Sequence, residues 1–253
     1  MPRFRIAAPL IRFALRLSVI VTLALSSALQ QAQTVTHAAT LRTVALSGVT
    51  PGVGFGYEPP VLNDAGQVAF TNSFEIWSEG SGSLTRVARV GDHAPGTPDG
   101  VRFGALGNGF VPVVLNDATQ TAFLADVPFG ARSILSDRSG SLALVMRAGS
   151  QALGLPSGVN FTGVLTSYPV LNNAGQVAFG GSLVGSGVDS TNSRGIWSEG
   201  SGTLAMVARA GDHAPGAPDG VNFRSFYTFV LNDAGQTAFG AFLTDGRFRL
   251  LGH

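Results

Sequence analysis

The sequence contains no cysteine and no lysine. Without cysteine there can be no disulfide and no thiolate metal ligand or nucleophile, so packing alone must hold the chain together. Without lysine, all 16 basic residues are arginines. The glycine-rich run Gly52-Val53-Gly54-Phe55-Gly56 therefore has no lysine behind it and is excluded as a phosphate loop. Charged residues are scarce, 12% of 253, which argues against long solvated helices. The 34 glycines point instead to many tight turns between short strands.

The N-terminus has a different composition from the rest. Arg3, Arg5, Arg12 and Arg16 precede an apolar run over residues 17–25, and Ser26-Ser27-Ala28 follow. A basic segment, an apolar segment and small residues at a cleavage point form the pattern of a secretory signal peptide. The uninterrupted apolar run is well short of the roughly 20 residues of a spanning helix, so cleavage is expected over an uncleaved anchor. The expected cut follows Ala28, with Ala38 as the second choice. Residues 1–28 are then the signal peptide, 29–39 a linker and 40–253 the folded domain. The mature chain keeps twelve arginines against fifteen acids, a charge near −3. That gives no electrostatic footprint for nucleic acid, and no membrane contact is expected beyond the signal peptide.

The rest of the chain repeats. Leu62-Asn63-Asp64-Ala65-Gly66-Gln67-Val68-Ala69-Phe70 returns at residues 115–123, 171–179 and 231–239, at spacings of 53, 56 and 60. Asn, Asp and Gly between apolar flanks predict a hairpin turn, with the Asn side chain bonded to backbone two residues on and Gly at positive φ. Val68 and Phe70 should face one side, and Gln67 and Ala69 the other. In the second copy Thr119 replaces the glycine, so that turn should be strained or differently shaped. A second motif reads Ile76-Trp77-Ser78-Glu79-Gly80 and Ile196-Trp197-Ser198-Glu199-Gly200, with a worn copy at 133–137; each predicts strand, turn, strand. A third, Gly91-Asp92-His93-Ala94-Pro95-Gly96, recurs from Gly211 and in worn form from Gly149, and reads as a loop.

Each unit is thus four short strands and a loop. Repeats of about 40–50 residues with four strands are characteristic of propeller blades. The expected fold is all-β: tandem four-stranded repeats forming a small, about four-bladed β-propeller. Residues 40–48 align with 203–211 and are expected to add a last strand to a final blade begun by the C-terminus, closing the ring. An open solenoid, a two-sheet sandwich and a truncated chain are the alternatives.

At Asn63, Gly66, Ala69 and Phe70, and again at Asn172, Gly175, Ala178, Phe179 and Asn232, Gly235, Ala238, Phe239, the chain resembles bacterial exported tandem-repeat proteins of the NxxGxxAF repeat type, a choice-of-anchor family. Thr119 departs from that pattern. The resemblance spans the chain from about residue 40 onward. It implies secretion and brings no established activity and no catalytic residues. Members often end in a sorting tail; Leu251-Gly252-His253 does not resemble one, so free secretion or a truncated chain is expected over surface anchoring.

The most site-like residues are the pairs Asp92-His93 and Asp212-His213. Such pairs can bind a metal or act as an acid–base couple, but the worn repeat reads Ser150-Gln151 and no third ligand follows at a recognisable spacing. They are candidates for ligand binding, with metal binding left open. The context of Asp64, Asp117 and Asp233 resembles the Asp-box turn of sialidase-type propellers, a structural turn; Asn173 breaks the series. Trp77 and Trp197 could stack on a sugar, although equivalent strand positions favour packing between repeats. Arg89, Arg147 and Arg209 recur at strand ends, where they could brace the acidic loop that follows. No catalytic constellation and no cofactor site emerges. The expected function is a non-enzymatic binding or surface-interaction module for a glycan or an extracellular protein. A propeller-type glycoside hydrolase or lyase, and a purely structural envelope component, are the alternatives. An enzyme should show one repeat that departs from the others with clustered Glu, Asp, His or Arg; the repeat that departs, 115–161, has lost His and Asp from its loop without gaining such a cluster, which favours binding or scaffolding.

Overall fold

The computed structural model describes residues 41–46, 59–72, 74–106, 113–127, 131–165 and 168–252. Among these residues seventeen strands form four antiparallel sheets, and no helix occurs. In the first sheet β1 (Val61–Leu62), β2 (Val68–Thr71), β3 (Glu75–Ser78) and β4 (Thr85–Arg89) pair in chain order. In the second, β5 (Ala105–Leu106) and β6 (Val114–Leu115) both pair with β7 (Thr121–Val127), followed by β8 (Ala131–Ser136) and β9 (Ala143–Arg147). The third repeats this with β10 (Asn160–Val164) and β11 (Val170–Leu171) on β12 (Val177–Val184), then β13 (Arg194–Ser198) and β14 (Ala205–Arg209). The fourth has β15 (Phe223–Leu231), β16 (Thr237–Leu243) and β17 (Phe248–Gly252).

The all-β reading therefore holds, and the chain end supplies a third strand, β17, to the last sheet. The closing strand does not form where it was expected: residues 41–46 are in no strand, and 47–48 lie outside the described residues. Val44 and Ala45 instead pack on Phe70 and Trp77 of the first sheet.

The repeated turn shows how the sequence sets the frame. Asn63 N–H donates to Gln67 O at 3.1 Å, and Gly66 N–H donates to Asn63 O at 3.0 Å. Gly66 lies at φ 77°, a region that costs glycine nothing. The Asn63 side chain bonds four residues on rather than two: its Oδ1 accepts Gln67 N–H at 2.9 Å. Thr119 sits at φ 69°, the one positive-φ residue other than glycine among the described residues. Its turn keeps the same backbone bonds, Asn116 N–H to Gln120 O and Thr119 N–H to Asn116 O. The second turn is strained rather than reshaped.

The same asparagines tie the repeats together. Asn63 Nδ2 donates to Asn116 O at 3.1 Å, Asn116 Nδ2 to Asn172 O at 2.7 Å and Asn172 Nδ2 to Asn232 O at 2.8 Å. Alongside, Asp64 N–H donates to Asp117 Oδ1, Asp117 N–H to Asn173 Oδ1 and Asn173 N–H to Asp233 Oδ1, each at 2.8 Å. The aspartates are therefore structural, as their turn context suggested, but their partner is the next repeat. Asn63, Asn116 and Asn172 are buried under their successors; Asn232, at the end of the ladder, is exposed.

Packing uses both faces of each sheet. Ala69 and Phe70, expected on opposite faces, are both buried, so the face of smaller residues is covered as well as the face of large ones. A sheet with neighbours on either side needs a small residue on one face to let the next sheet approach, and Ala69, Ala122 and Ala178, all with no exposed surface, fill that role. The large side chains fill the other face. Trp197 stacks on Phe179 at 6.1 Å and meets Phe161 edge-on at 4.8 Å. Burying such a ring contributes on the order of 1.5–3 kcal/mol. Packing, not sugar stacking, is the role of Trp197, which has no exposed surface.

The third motif is more ordered than a loop. His93 bridges Arg102, Gln151 bridges Asn160 and His213 bridges Asn222 in antiparallel pairs. Each copy repeats the same bonds: Gly91 N–H to Phe103 O and Ala94 N–H to Val101 O, then Gly149 to Phe161 and Ala152 to Val159, then Gly211 to Phe223 and Ala214 to Val221. Ala94, Ala152 and Ala214 are fully buried, with Phe103, Phe161 and Phe223 nearly so. The segment is a small hairpin that inserts an alanine and a phenylalanine into the core.

Candidate binding cleft

The residues singled out in the sequence are dispersed. Asp92, His93, Asp212 and His213 are exposed, each pair on its own hairpin after a different sheet. His93 Nε2 stands 4.0 Å from Asp99 Oδ1, and both side chains are open to solvent, an arrangement worth little. In the worn copy Gln151 braces the same hairpin: its Nε2 donates to Pro156 O at 3.0 Å and its Oε1 accepts Gly158 N–H at 3.0 Å. The position therefore tolerates a purely structural side chain. Among the described residues no group of three or more His, Asp or Glu is placed to hold a metal ion. Of the four candidates, Asp212 lines a cavity of substantial size.

That cavity, about 630 Å3, lies between the third and fourth sheets. Arg209 at the end of β14, Asp212, and Asn222 and Arg224 around the start of β15 form its floor and one wall. Ser190, Thr191 and Asn192 form the other. These three belong to an insertion. Nine residues, 185–193, separate β12 from β13, whereas three separate β2 from β3 and three separate β7 from β8.

The insertion holds its own shape. Asp189 Oδ1 accepts Thr191 N–H at 2.7 Å and Thr191 Oγ1–H at 2.6 Å. Asn192 Oδ1 accepts Asp189 N–H at 2.9 Å, and Asn192 Nδ2 donates to Gly187 O at 3.0 Å. The Thr191 hydroxyl and amide hold the Asp189 carboxyl below its ordinary range, with a smaller contribution from the nearby Arg209 charge. Arg209 Nε–H in turn donates to Asn192 O at 2.9 Å, fixing the arginine against the loop.

The charge of the cleft follows from one strand position. In β3–β4, Glu75 lies opposite Arg89. The buried Glu75 carboxylate stands 3.6 Å from Arg89 Nε, 3.4 Å from Arg86 Nη1, and accepts Trp77 Nε1–H at 3.1 Å. Arg89 thus pairs back into its own sheet rather than bracing the following loop. In β13–β14 the residue opposite Arg209 is Gly195. With no carboxylate there, Trp197 lies over the glycine: a Cβ on Gly195 would meet its ring at 2.8 Å. Its indole N–H goes to Leu153 O at 2.9 Å instead. Among the described residues no carboxylate lies within ion-pair distance of Arg194, Arg209 or Arg224. A second cavity of about 460 Å3, lined by Arg194, Arg224, Ser190, Ser225 and Phe242, shares Ser190 and Arg224 with the first.

Sequence reasoning named Arg209 only as a recurrent strand-end arginine and missed Arg194, Arg224 and the insertion. The signal was present in the spacing of 60, against 53 and 56, and in the exchange of Glu75 for Gly195.

No curated protein and no solved structure matches the chain. A family model does match, over residues 71–248. On that match the chain belongs to the family of unknown function DUF7453.

Proposed function

We propose that this is an exported, non-enzymatic binding module for a glycan or extracellular protein, with its ligand site in the cleft between the third and fourth sheets. One observation carries the reading: the third repeat departs from the common frame at the place where the departure walls a polar cavity. The insertion adds nothing to the ladder; Val188 packs on the aromatic core, while Ser190, Thr191 and Asn192 line the cleft, and Arg194 and Arg224 have no ion-pair partner among the described residues.

In this proposal the four sheets are blades about a common axis. In support, residues at or beside β1, β6, β11 and within β15, among them Leu62, Leu115, Leu171 and Phe229, line a single cavity of about 590 Å3. Export rests on the basic and apolar N-terminal pattern, and kinship with the NxxGxxAF exported repeats rests on the recurring Asn, Gly, Ala and Phe.

The module is tested by filling the cleft. Ser190→Trp places a ring at an exposed position common to both cavities. The wild-type chain should retain at least one member of a panel of immobilised glycans and secreted proteins, and the variant should lose it with its circular dichroism unchanged. Equal retention by both would remove the cleft from the proposal. N-terminal sequencing of the secreted product should begin at residue 29; a product starting at Met1 would remove the signal peptide.

A further inference from the structure

We infer that the cleft takes an acidic oligosaccharide, gripped through ring carboxylates or sulfate esters by Arg194, Arg209 and Arg224. The inference rests on the proposed binding cleft and names its ligand class.

Three features favour this chemistry. First, three guanidinium groups line adjoining cavities without an ion-pair partner, while Asp212 is the acid among the lining residues and Asp189 stands near Arg209. Arginine presents a planar fork that matches carboxylate and sulfate oxygens in pairs. Arg209 is already held by the Asn192 carbonyl, so less ordering is required when a ligand binds. The first repeat shows what happens where no anion is awaited: there Glu75 occupies the equivalent position and pairs with Arg86 and Arg89.

Second, hydroxyl and amide groups line the cleft beside Ala210, Gly211 and Phe223. Ser190, Asn222 and Thr244 can each donate and accept, as sugar hydroxyls require, while the Thr191 hydroxyl, whose proton goes to Asp189, can accept. Polar side chains outnumber the apolar Ala210 and Phe223 in this lining, which favours a glycan over an acidic peptide. Third, Phe242 beside Arg194 and Arg224 is 43% exposed and is backed edge-on by Phe248 at 5.1 Å. A fixed, half-open ring offers an apolar face to the C–H side of a pyranose. The two cavities share Ser190 and Arg224, so consecutive charged units can engage one groove.

The test uses the full chain and isothermal titration with four probes: tetragalacturonate, its fully methyl-esterified neutral form, a sulfated dextran oligomer and hexaglutamate. Tetragalacturonate or the sulfated oligomer should bind, the better of the two naming the anion, and the neutral ester should bind at least about tenfold more weakly. The double variant R194Q/R224Q, changed at two exposed positions, should lose at least about tenfold, while R102Q, on the hairpin after the first sheet, should change nothing. Binding should weaken as salt rises from about 50 to 250 mM, because exposed charge pairs are screened. Equal binding of the neutral ester and undiminished binding by R194Q/R224Q would overturn the acidic-ligand inference while leaving a glycan cleft in place. Hexaglutamate binding as tightly as either charged oligosaccharide would overturn the glycan assignment, as would no binding of any probe by the wild type.

Discussion

The first and third repeats are built from nearly the same sentence of residues, yet they dispose of their charge in opposite ways. In the first, Glu75 closes on Arg86, Arg89 and the Trp77 indole, and the position is sealed. In the third, Gly195 takes the place of the glutamate, Trp197 settles over it, and Arg209 is turned to a new loop. Both strand pairs even keep the same bulge, between Ile76 and Trp77 and between Ile196 and Trp197. Repetition thus fixes the frame, and a single position within it decides whether a strand end is neutral structure or charged surface.

The largest test of that contrast lies in the two tryptophans. Trp197→Ala removes a fully buried ring from contact with Phe161 and Phe179, and should cost about 3–5 kcal/mol in urea unfolding. Trp77→Ala, at 8% exposure, should cost less. The reverse order would contradict the deeper burial of Trp197.

The ladder provides the next. Asn172→Ala strips one turn of its internal bonds and removes one of two donors to Asn232 O, which keeps Gly235 N–H. The expected loss is about 1–2 kcal/mol, since a buried side chain with three hydrogen bonds is removed. Asn232→Ala, at an exposed position, should lose under about 1 kcal/mol. Equal losses would show that the inter-repeat bond contributes nothing beyond the turn.

A smaller effect, of opposite sign, is expected at the odd turn of the second repeat. Thr119→Gly should stabilise the chain by about 1 kcal/mol, because a β-branched residue is strained at positive φ and glycine is not. Thermal unfolding reads the sign directly.

The smallest effect concerns Asp137, which replaces the glutamates of the other two repeats. Burial raises its pKa above the ordinary 3.8, and the bonds from Thr121 N–H and Oγ1–H offset this only in part. In the window from 3.8 up to the raised value, the folded chain binds more protons than the unfolded one. Stability from this group is therefore present at low pH and lost as pH rises through the window. Asp137→Asn removes that loss, so its stability relative to wild type should climb across the window and then level off. A difference that falls with pH would contradict the raised pKa.

The turns, the strands and the buried tryptophans were legible because their causes are local. Asn, Asp and Gly dictate a turn within five residues, and a tryptophan returning at the same strand position points inward. Thr119 announced its own strain by standing where glycine belongs. The ladder was not legible, because Asn63 meets a carbonyl 53 residues away and nothing nearby marks that partner. The cleft was hidden for a different reason. It is made by added length and by a missing carboxylate, and neither resembles a motif. His93 and His213 attracted notice by their chemistry; what is shown of them is a backbone bridge in each hairpin, to Arg102 and to Asn222.

The ladder has a consequence for how such a protein can arise. Every unit brings one asparagine amide to offer forward and one carbonyl to receive from behind, so its two sides are complementary and every junction has the same form. A gene that duplicates or drops a whole unit creates no foreign junction, because the newcomer finds its handshake ready on either side. Length can then drift while single units, like the third, are free to acquire a trade of their own.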